Sequence, residues 1–174
     1  LVLLIVDLQG YPIEELEQSL AILAENRILP IQLSGQPYEG RRPTYVPMLV
    51  LANKCDDERC DEDFEVLCEL LEGKWPILPV SATTGHNIEQ MQQAVFEQLG
   101  VIRVFSKPPG KDPDFTAPFV LHKGGTVGEF AAKIHQDFAK SLKSARVWGS
   151  ATHDGQMVGR DHVLHDRDVV ELKT

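Results

Sequence analysis

Asn53, Lys54 and Asp56 stand in an N-K-x-D at the end of the apolar run Leu49-Val50-Leu51-Ala52. A carboxylate such as that of Asp56 accepts two hydrogen bonds side by side, which fits the ring N–H and exocyclic amine of guanine and does not fit adenine. Asn53 offers a carboxamide to the acceptor edge of the same base, and the stem of Lys54 can lie over the purine face. A second apolar run, Leu78-Pro79-Val80, delivers Ser81, Ala82 and Thr83, 28 positions beyond Asn53. Small side chains there let backbone N–H groups approach a purine carbonyl, and the Ser81 hydroxyl can steady Asp56. A four-letter motif with one wildcard says little in an arbitrary loop. Two such motifs on successive strand tips, with a helix between and a helix after, read as a guanine site.

Other chemistry is harder to find. No G-x-x-x-x-G-K-[ST] occurs, since Gly73-Lys74 and Gly110-Lys111 lack the upstream Gly and the following Ser or Thr. The phosphate cradle, its Lys and a magnesium-binding hydroxyl are therefore missing from the chain. Asp7-Leu8-Gln9-Gly10 fits the D-x-x-G of a γ-phosphate loop. Only one clear helix separates it from Asn53, however, where a further strand-helix pair is needed, so Asp7 is read as ending the following strand. No catalytic residue and no metal ligand is assigned. His153, His162 and His165 lie in a loop-like segment without metal spacing and are read as solvated or turn-stabilising. Cys55, Cys60 and Cys68 match no familiar zinc pattern or disulfide framework and are expected to be reduced thiols. Lys123, Lys133, Lys140, Lys143 and Arg146 are candidate RNA contacts, against the plainer reading of a solvated helix face. The acidic run from Asp56 to Glu65 would repel RNA.

The elements that must position these residues change style along the chain. Leu1 to Val6 reads as a strand covered on both faces. Ile13, Leu16, Leu20, Leu23 and Ala24 follow Pro12 at helical spacing. Ile28 to Leu33 predicts a short strand, and Gly35 to Pro47 a loop. Met48 to Ala52 is a fully apolar strand. Phe64, Leu67, Cys68 and Leu71 mark a helix ended by Gly73, and Ile77 to Val80 is another strand. Asn87 and Gln90 predict a capping box for a helix bearing Ile88, Met91, Val95 and Leu99, closed by Gly100. Alternating strands and helices indicate a parallel α/β sheet. Beyond Gly100, Val101 to Ser106 and Phe119 to Leu121 predict a hairpin. Thr126 and Glu129 open a helix lined by Val127, Phe130, Ala131, Ile134 and Phe138, with Phe138 and Trp148 in the core. Ala145 to Trp148 and Val169 to Leu172 add strands, giving a small α+β module.

Composition bounds these readings. The chain has 174 residues, 43% hydrophobic and 25% charged, enough for one or two globular domains. Its longest apolar run is far below the roughly 20 residues of a membrane span, and no signal peptide is evident, so membrane insertion and secretion are not expected. Residues 1–100 hold 6 Lys and Arg against 17 Asp and Glu, whereas residues 101–174 hold 11 against 9. That asymmetry suggests two modules with different partners, the second more tolerant of a polyanion. Opening directly on an apolar strand at Leu1 predicts a portion of a longer protein.

On Asn53-Lys54-Cys55-Asp56 and Ser81-Ala82-Thr83 the chain resembles a translational GTPase-class G domain, and more closely the Obg-related DRG family. The resemblance continues through Val101-Ile102-Arg103-Val104-Phe105-Ser106-Lys107-Pro108-Pro109-Gly110, Arg146-Val147-Trp148-Gly149-Ser150, Val158-Gly159-Arg160-Asp161-His162-Val163-Leu164 and Asp166-Arg167-Asp168-Val169-Val170, which look like the family's TGS domain. It implies an incomplete P-loop GTPase-type parallel sheet over residues 1–100, the C-terminal part of a G domain without its P-loop. A β-grasp, ubiquitin-like TGS domain would follow over residues 101–174. It implies GTP or GDP as ligand, with Mg in the intact protein, a cytoplasmic location, and ribosome or RNA as partner. Guanine would be bound by Asn53, Lys54, Asp56, Ser81, Ala82 and Thr83. This chain alone is expected to be inactive towards GTP. The alternative is a non-enzymatic module binding RNA, a nucleotide or a protein through the β-grasp domain.

Overall fold

A computed structural model describes residues 1–38, 40–57 and 60–174. The chain divides into two compact units, Leu1–Leu99 and Gly100–Thr174.

In the first unit, β1 (Val2–Asp7), α1 (Pro12–Glu25), β2 (Ile28–Pro30), β3 (Thr44–Val46), β4 (Met48–Asn53), α2 (Cys60–Leu70), β5 (Ile77–Pro79) and α3 (Ile88–Leu99) follow in order. The main sheet is three-stranded and parallel, in the order β1-β4-β5. Helices cover both faces. Leu4, Val6, Met48, Val50 and Ala52 pack with Leu16 of α1 and Leu67 of α2. Leu49 and Leu51, on the alternate positions of β4, meet Ile88, Met91 and Val95 of α3. A central parallel strand buried on both sides must be apolar throughout, and all of Met48 to Ala52 is buried. Pro12 at the start of α1 and the acidic Glu14 and Glu15 in its first turn suit a helix N-terminus.

Several expectations for this unit are corrected. β1 is covered on one face only: Leu3 and Ile5 are exposed, because α3 reaches β4 and β5 while nothing among the described residues lies over that side of β1. Residues 28–33 make a three-residue strand and then a 3-10 turn at Ile31–Leu33. The expected loop 35–47 contains β3, which pairs in parallel with β2; a three-residue strand is too short to show alternation. Glu39, within that loop, and Glu58 and Arg59, within the acidic run, lie outside the described residues. Asn87 does not build the expected box. It sits at φ 55°, and its Nδ2 donates to the Pro79 carbonyl at 3.0 Å, tying the start of α3 to the end of β5.

The second unit comprises β6 (Val101–Ser106), β7 (Phe119–His122), α4 (Val127–Ile134), α5 (Gln136–Ser141), β8 (Ser144–Trp148), β9 (Gln156–Val158) and β10 (Val169–Lys173). They form one five-stranded sheet in the order β7-β6-β10-β8-β9. β10 runs parallel to β6 and antiparallel to β8, the mixed pairing of a β-grasp in which the last strand enters the middle. α4 packs Val127 and Phe130 on Ile102, Val104, Leu121, Ala145, Val147 and Val170. Phe119 meets Phe130 edge to face, with centroids 5.4 Å apart. Thr126 caps α4 as expected, its Oγ1 accepting from the Glu129 N–H. The helix breaks at His135, so Phe138 falls on the separate α5 and is exposed, not in the core. β9 was not foreseen, being three residues with a single apolar position facing inward.

Candidate functional site

Parallel pairing of β1, β4 and β5 brings the carboxyl ends of all three strands to one edge, where open α/β sheets form their ligand crevices. Asn53 closes β4 with Asp7 as its register partner on β1. Lys54 follows at φ 70°, a left-handed turn that ends the strand. The Cys55 N–H then donates to the Val80 carbonyl at 3.1 Å, binding the loop to the end of β5.

The two motifs meet. Ser81 is fully buried, and its Oγ donates to Asp56 Oδ1 at 2.5 Å while accepting from the Thr84 N–H at 2.9 Å. One serine therefore sets the aspartate and the turn below it. A carboxylate oxygen retains a lone pair after such a bond, so Asp56 keeps the capacity for a bidentate partner. The Ala82 N–H, expected to face a purine carbonyl, donates instead to Asn53 Oδ1 at 3.2 Å. Thr83 is exposed beside it. A cavity of about 290 Å³ adjoins this loop, lined by Cys55, Asp56, Asp57, Cys60, Asp61, Thr84 and His86.

Asp7 belongs to the same edge. Lys54 Nζ pairs with Asp7 Oδ2 at 2.5 Å, and Gln9 Nε2 donates to the Lys54 carbonyl. The Asp7 carboxyl is held below the usual carboxylate range, chiefly by the bond from Lys54, and the Lys54 amine is raised by the same contact. Sequence reasoning set Asp7 aside as a decoy and missed that it orients the motif lysine; the two lie 47 positions apart and nothing local joins them. Cys55 and Cys60 are also joined, by a disulfide with Cα atoms 5.0 Å apart, against the expectation of reduced thiols. Cys68 is the free cysteine, and burial pushes its thiol up. Among the described residues, Cys55, Cys60 and Asp61 are the group that gathers three ligating atoms, within 4.8 Å; His153, His162 and His165 do not gather.

The candidate RNA contacts stand on several different elements. Lys123 follows β7, Lys133 is on α4, Lys140 on α5, Lys143 beyond it and Arg146 on β8. Arg146 alternates with Ala145 and Val147, which face α4, so it projects from the opposite side of the sheet. On that side the cations are largely matched. Arg103 grips Asp166 through Nε at 3.1 Å and a terminal nitrogen at 2.6 Å, and Glu171 takes Lys107 at 3.2 Å as well as Lys173. Arg103 holds the Asp166 carboxyl below its ordinary value, and Lys173 does the same for Glu171. Asp168, buried, accepts from Ser150 N, Ser150 Oγ and His165 N at 2.7–2.8 Å. Gly149 lies so close that a Cβ there would stand 2.7 Å from Asp168 Oδ1.

Residues 102–174 match the TGS domain. The chain is 37% identical over 161 residues to an uncharacterised GTP-binding protein of Methanocaldococcus jannaschii, covering 90% of the chain and 36% of that protein. It is 35% identical to developmentally-regulated GTP-binding protein 1 of Xenopus laevis and 33% identical to ribosome-interacting GTPase 1 of Saccharomyces cerevisiae. Each of these covers 77% of the chain and about a third of the relative, 35% and 36% respectively. Among solved structures, a GTP-binding protein of Pyrococcus horikoshii superposes with a TM-score of 0.57 at 20% identity, over 74% of this chain and 46% of that one. The Schizosaccharomyces pombe YchF GTPase gives 0.60 at 12%, over 92% and 54%. The fold is thus a P-loop GTPase-type α/β sheet followed by a β-grasp, and no helix among the described residues is long and apolar enough to cross a membrane. The chain spans about a third of the length of the curated relatives it matches, and it is similar to the Obg-related, DRG-like GTP-binding proteins.

Proposed function

We propose that residues 1–100 carry the base-recognition half of a guanine nucleotide site and that residues 101–174 are a regulatory domain that docks on RNA or the ribosome. The observation that carries the first part is the Ser81–Asp56 bond, which joins two strand tips 25 residues apart in sequence at the edge where such sheets bind ligands. Asp56 would take the guanine ring N–H and exocyclic amine, Asn53 the acceptor edge, and Lys54, anchored by Asp7, would lie against the base. Ser81, Ala82 and Thr83 would support the pocket. An Ala82 N–H released from Asn53 on binding is the donor for the purine carbonyl.

The residues present fit a guanine base but not magnesium or the triphosphate, because the chain has no G-x-x-x-x-G-K-[ST]. No phosphoryl-transfer step is assigned to it, and the chain by itself does not hydrolyse GTP in this reading. The exposed Leu3 and Ile5 on one face of β1 support cover over that face from a larger domain. Ribosome docking is supported by the name of the yeast relative and by the TGS match.

The test is competition of GDP and ADP for the chain. GDP should win, and Asp56→Ala should weaken GDP about a hundredfold, as two charge-assisted hydrogen bonds of about 1.5 kcal/mol each are lost. Equal binding of the two nucleotides, or hydrolysis above background that vanishes with Asp56→Ala, would overturn the reading. Equal or absent nucleotide binding together with RNA binding by residues 101–174 would favour the non-enzymatic β-grasp module.

A further inference from the structure

We propose that Cys55 and Cys60 are a reversible thiol–disulfide pair that clamps the Asp56 loop. The clamp itself is independent of ligand; its effect on guanine nucleotide rests on the reading above. Cys55 is the variable residue of the N-K-x-D, and Cys60 is the first residue of α2. The disulfide closes a ring with a sequence separation of 5, and Asp56 lies inside that ring. The ring is fixed on both sides. Cys55 is hydrogen-bonded through its N–H to Val80, and Cys60 packs in the main core with Leu67 of its own helix. With the bridge closed, Cys55 and Cys60 are linked while each is held to a packed element, and Ser81 reaches the Asp56 carboxylate next to Cys55.

Both cysteines line the open 290 Å³ cavity, so a small reagent can reach them although each side chain is largely buried. The third cysteine, Cys68, is on α2, does not line that cavity and is unpaired. Closure by a low-molecular-weight disulfide balances as exchange. One protein thiolate attacks a sulfur of the reagent, and one small thiolate leaves. The second protein thiolate then attacks the mixed disulfide and the other small thiol departs. Two electrons pass from the cysteine pair to the reagent, and the two thiol protons end on the two small thiols. The same cavity wall carries Asp56, Asp57 and Asp61. Coulomb repulsion from these carboxylates selects the reagent, so an uncharged disulfide reacts faster than an anionic one of similar size. The ligand class is accordingly a small neutral disulfide or, in the opening direction, a small neutral thiol.

A clamp on a binding loop acts by pre-organisation, because the ordering cost is met before the ligand arrives. The closed form should therefore bind guanine nucleotide more tightly than the open one.

The experiment treats the whole chain with 2-hydroxyethyl disulfide or with the similarly small, anionic 3,3′-dithiodipropionate, and separately with excess dithiothreitol. Remaining thiols are counted by alkylation and mass spectrometry. Hydrogen exchange over residues 53–57 and 81–84 and GDP affinity are then measured in both states. Expected are one alkylatable thiol at Cys68 after oxidation and three after reduction, with the neutral reagent about tenfold faster than the anionic one. Exchange over 53–57 should rise about tenfold on reduction, and GDP affinity should fall about threefold to tenfold. Cys60→Ser should behave as the reduced chain under both conditions, while Cys68→Ser should still switch. Three free thiols after oxidation, or exchange that ignores the redox state, would overturn the clamp. Stoichiometric zinc held by the reduced chain and lost in Asp61→Asn would overturn it in favour of a metal site. Exchange that switches while neither state prefers GDP to ADP would overturn the guanine reading and leave the clamp standing.

Discussion

The two units solve opposite problems. The first exposes its chemistry: Lys54, Asp56, Ala82 and Thr83 sit in exposed loops at strand tips, and the apolar Leu3 and Ile5 of β1 are uncovered. The second spends its charges internally. Asp166 takes Arg103, Glu171 takes Lys107 and Lys173, and buried Asp168 takes three donors. Charge counts alone suggest a weakly basic second module facing a polyanion. The geometry shows that several of those cations already have partners, so the module's net positive excess overstates what is left for one. In the first unit the polar groups at the edge are oriented by neighbours yet remain accessible, which is what a recognition site requires.

The largest break in that contrast should come from Asp168→Ala. It takes the acceptor from Ser150 N, Ser150 Oγ and His165 N, at a cost of about 3 kcal/mol for the hydrogen bonds lost from a buried carboxylate. Chemical denaturation followed by hydrogen exchange should show residues 101–174 opening while the protection of β4 is unchanged. Loss of protection in β4 as well would mean that the two units do not open separately.

Asp166→Asn should cost less, about 1 kcal/mol, because both partners of this ion pair are partly solvated. Its pH dependence sharpens the point. Arg103 depresses the folded-state Asp166 carboxyl below its unfolded value of about 3.9. The stabilisation is therefore complete above that pH and is lost as the pH falls towards the folded value. The wild-type and variant melting curves should differ by a constant amount from pH 7 to about 5 and converge below about 4. A gap that persists at the acid end would assign the effect to packing and not to charge.

The smallest effect is expected at Asp7→Asn in the first unit. Its pair with Lys54 is exposed, so melting should not move measurably. The readout is GDP affinity, which should weaken as Lys54 loses its anchor. A clear loss of stability would make Asp7 a structural residue of the Asp168 kind and erase the distinction between the units.

Local pattern was enough for the elements with strong periodicity or strong caps. The apolar run of β4, the helical spacing after Pro12 and the Thr126–Glu129 cap were legible because each is a short-range requirement of hydrogen bonding or burial. Short strands were not. β3 and β9 have three residues each, and what makes them strands is the partner supplied by β2 or β8. Coverage of β1 and the placement of Phe138 also failed, since whether an apolar residue is buried depends on what another element reaches.

The candidate site divides the same way. Residue type and spacing determined that Asn53, Asp56 and Ser81 would stand on strand tips, because a carboxylate beside an amide at the end of an apolar strand states its chemistry locally. Only the tertiary structure decided that Ser81 donates to Asp56, that Ala82 N–H goes to Asn53, that Asp7 anchors Lys54 and that Cys55 joins Cys60. Each of those contacts closes a gap in sequence through strand order, register or a loop return. Hydrogen bonds and disulfides act over a few ångströms, so their partners exist only once the backbone has brought them together.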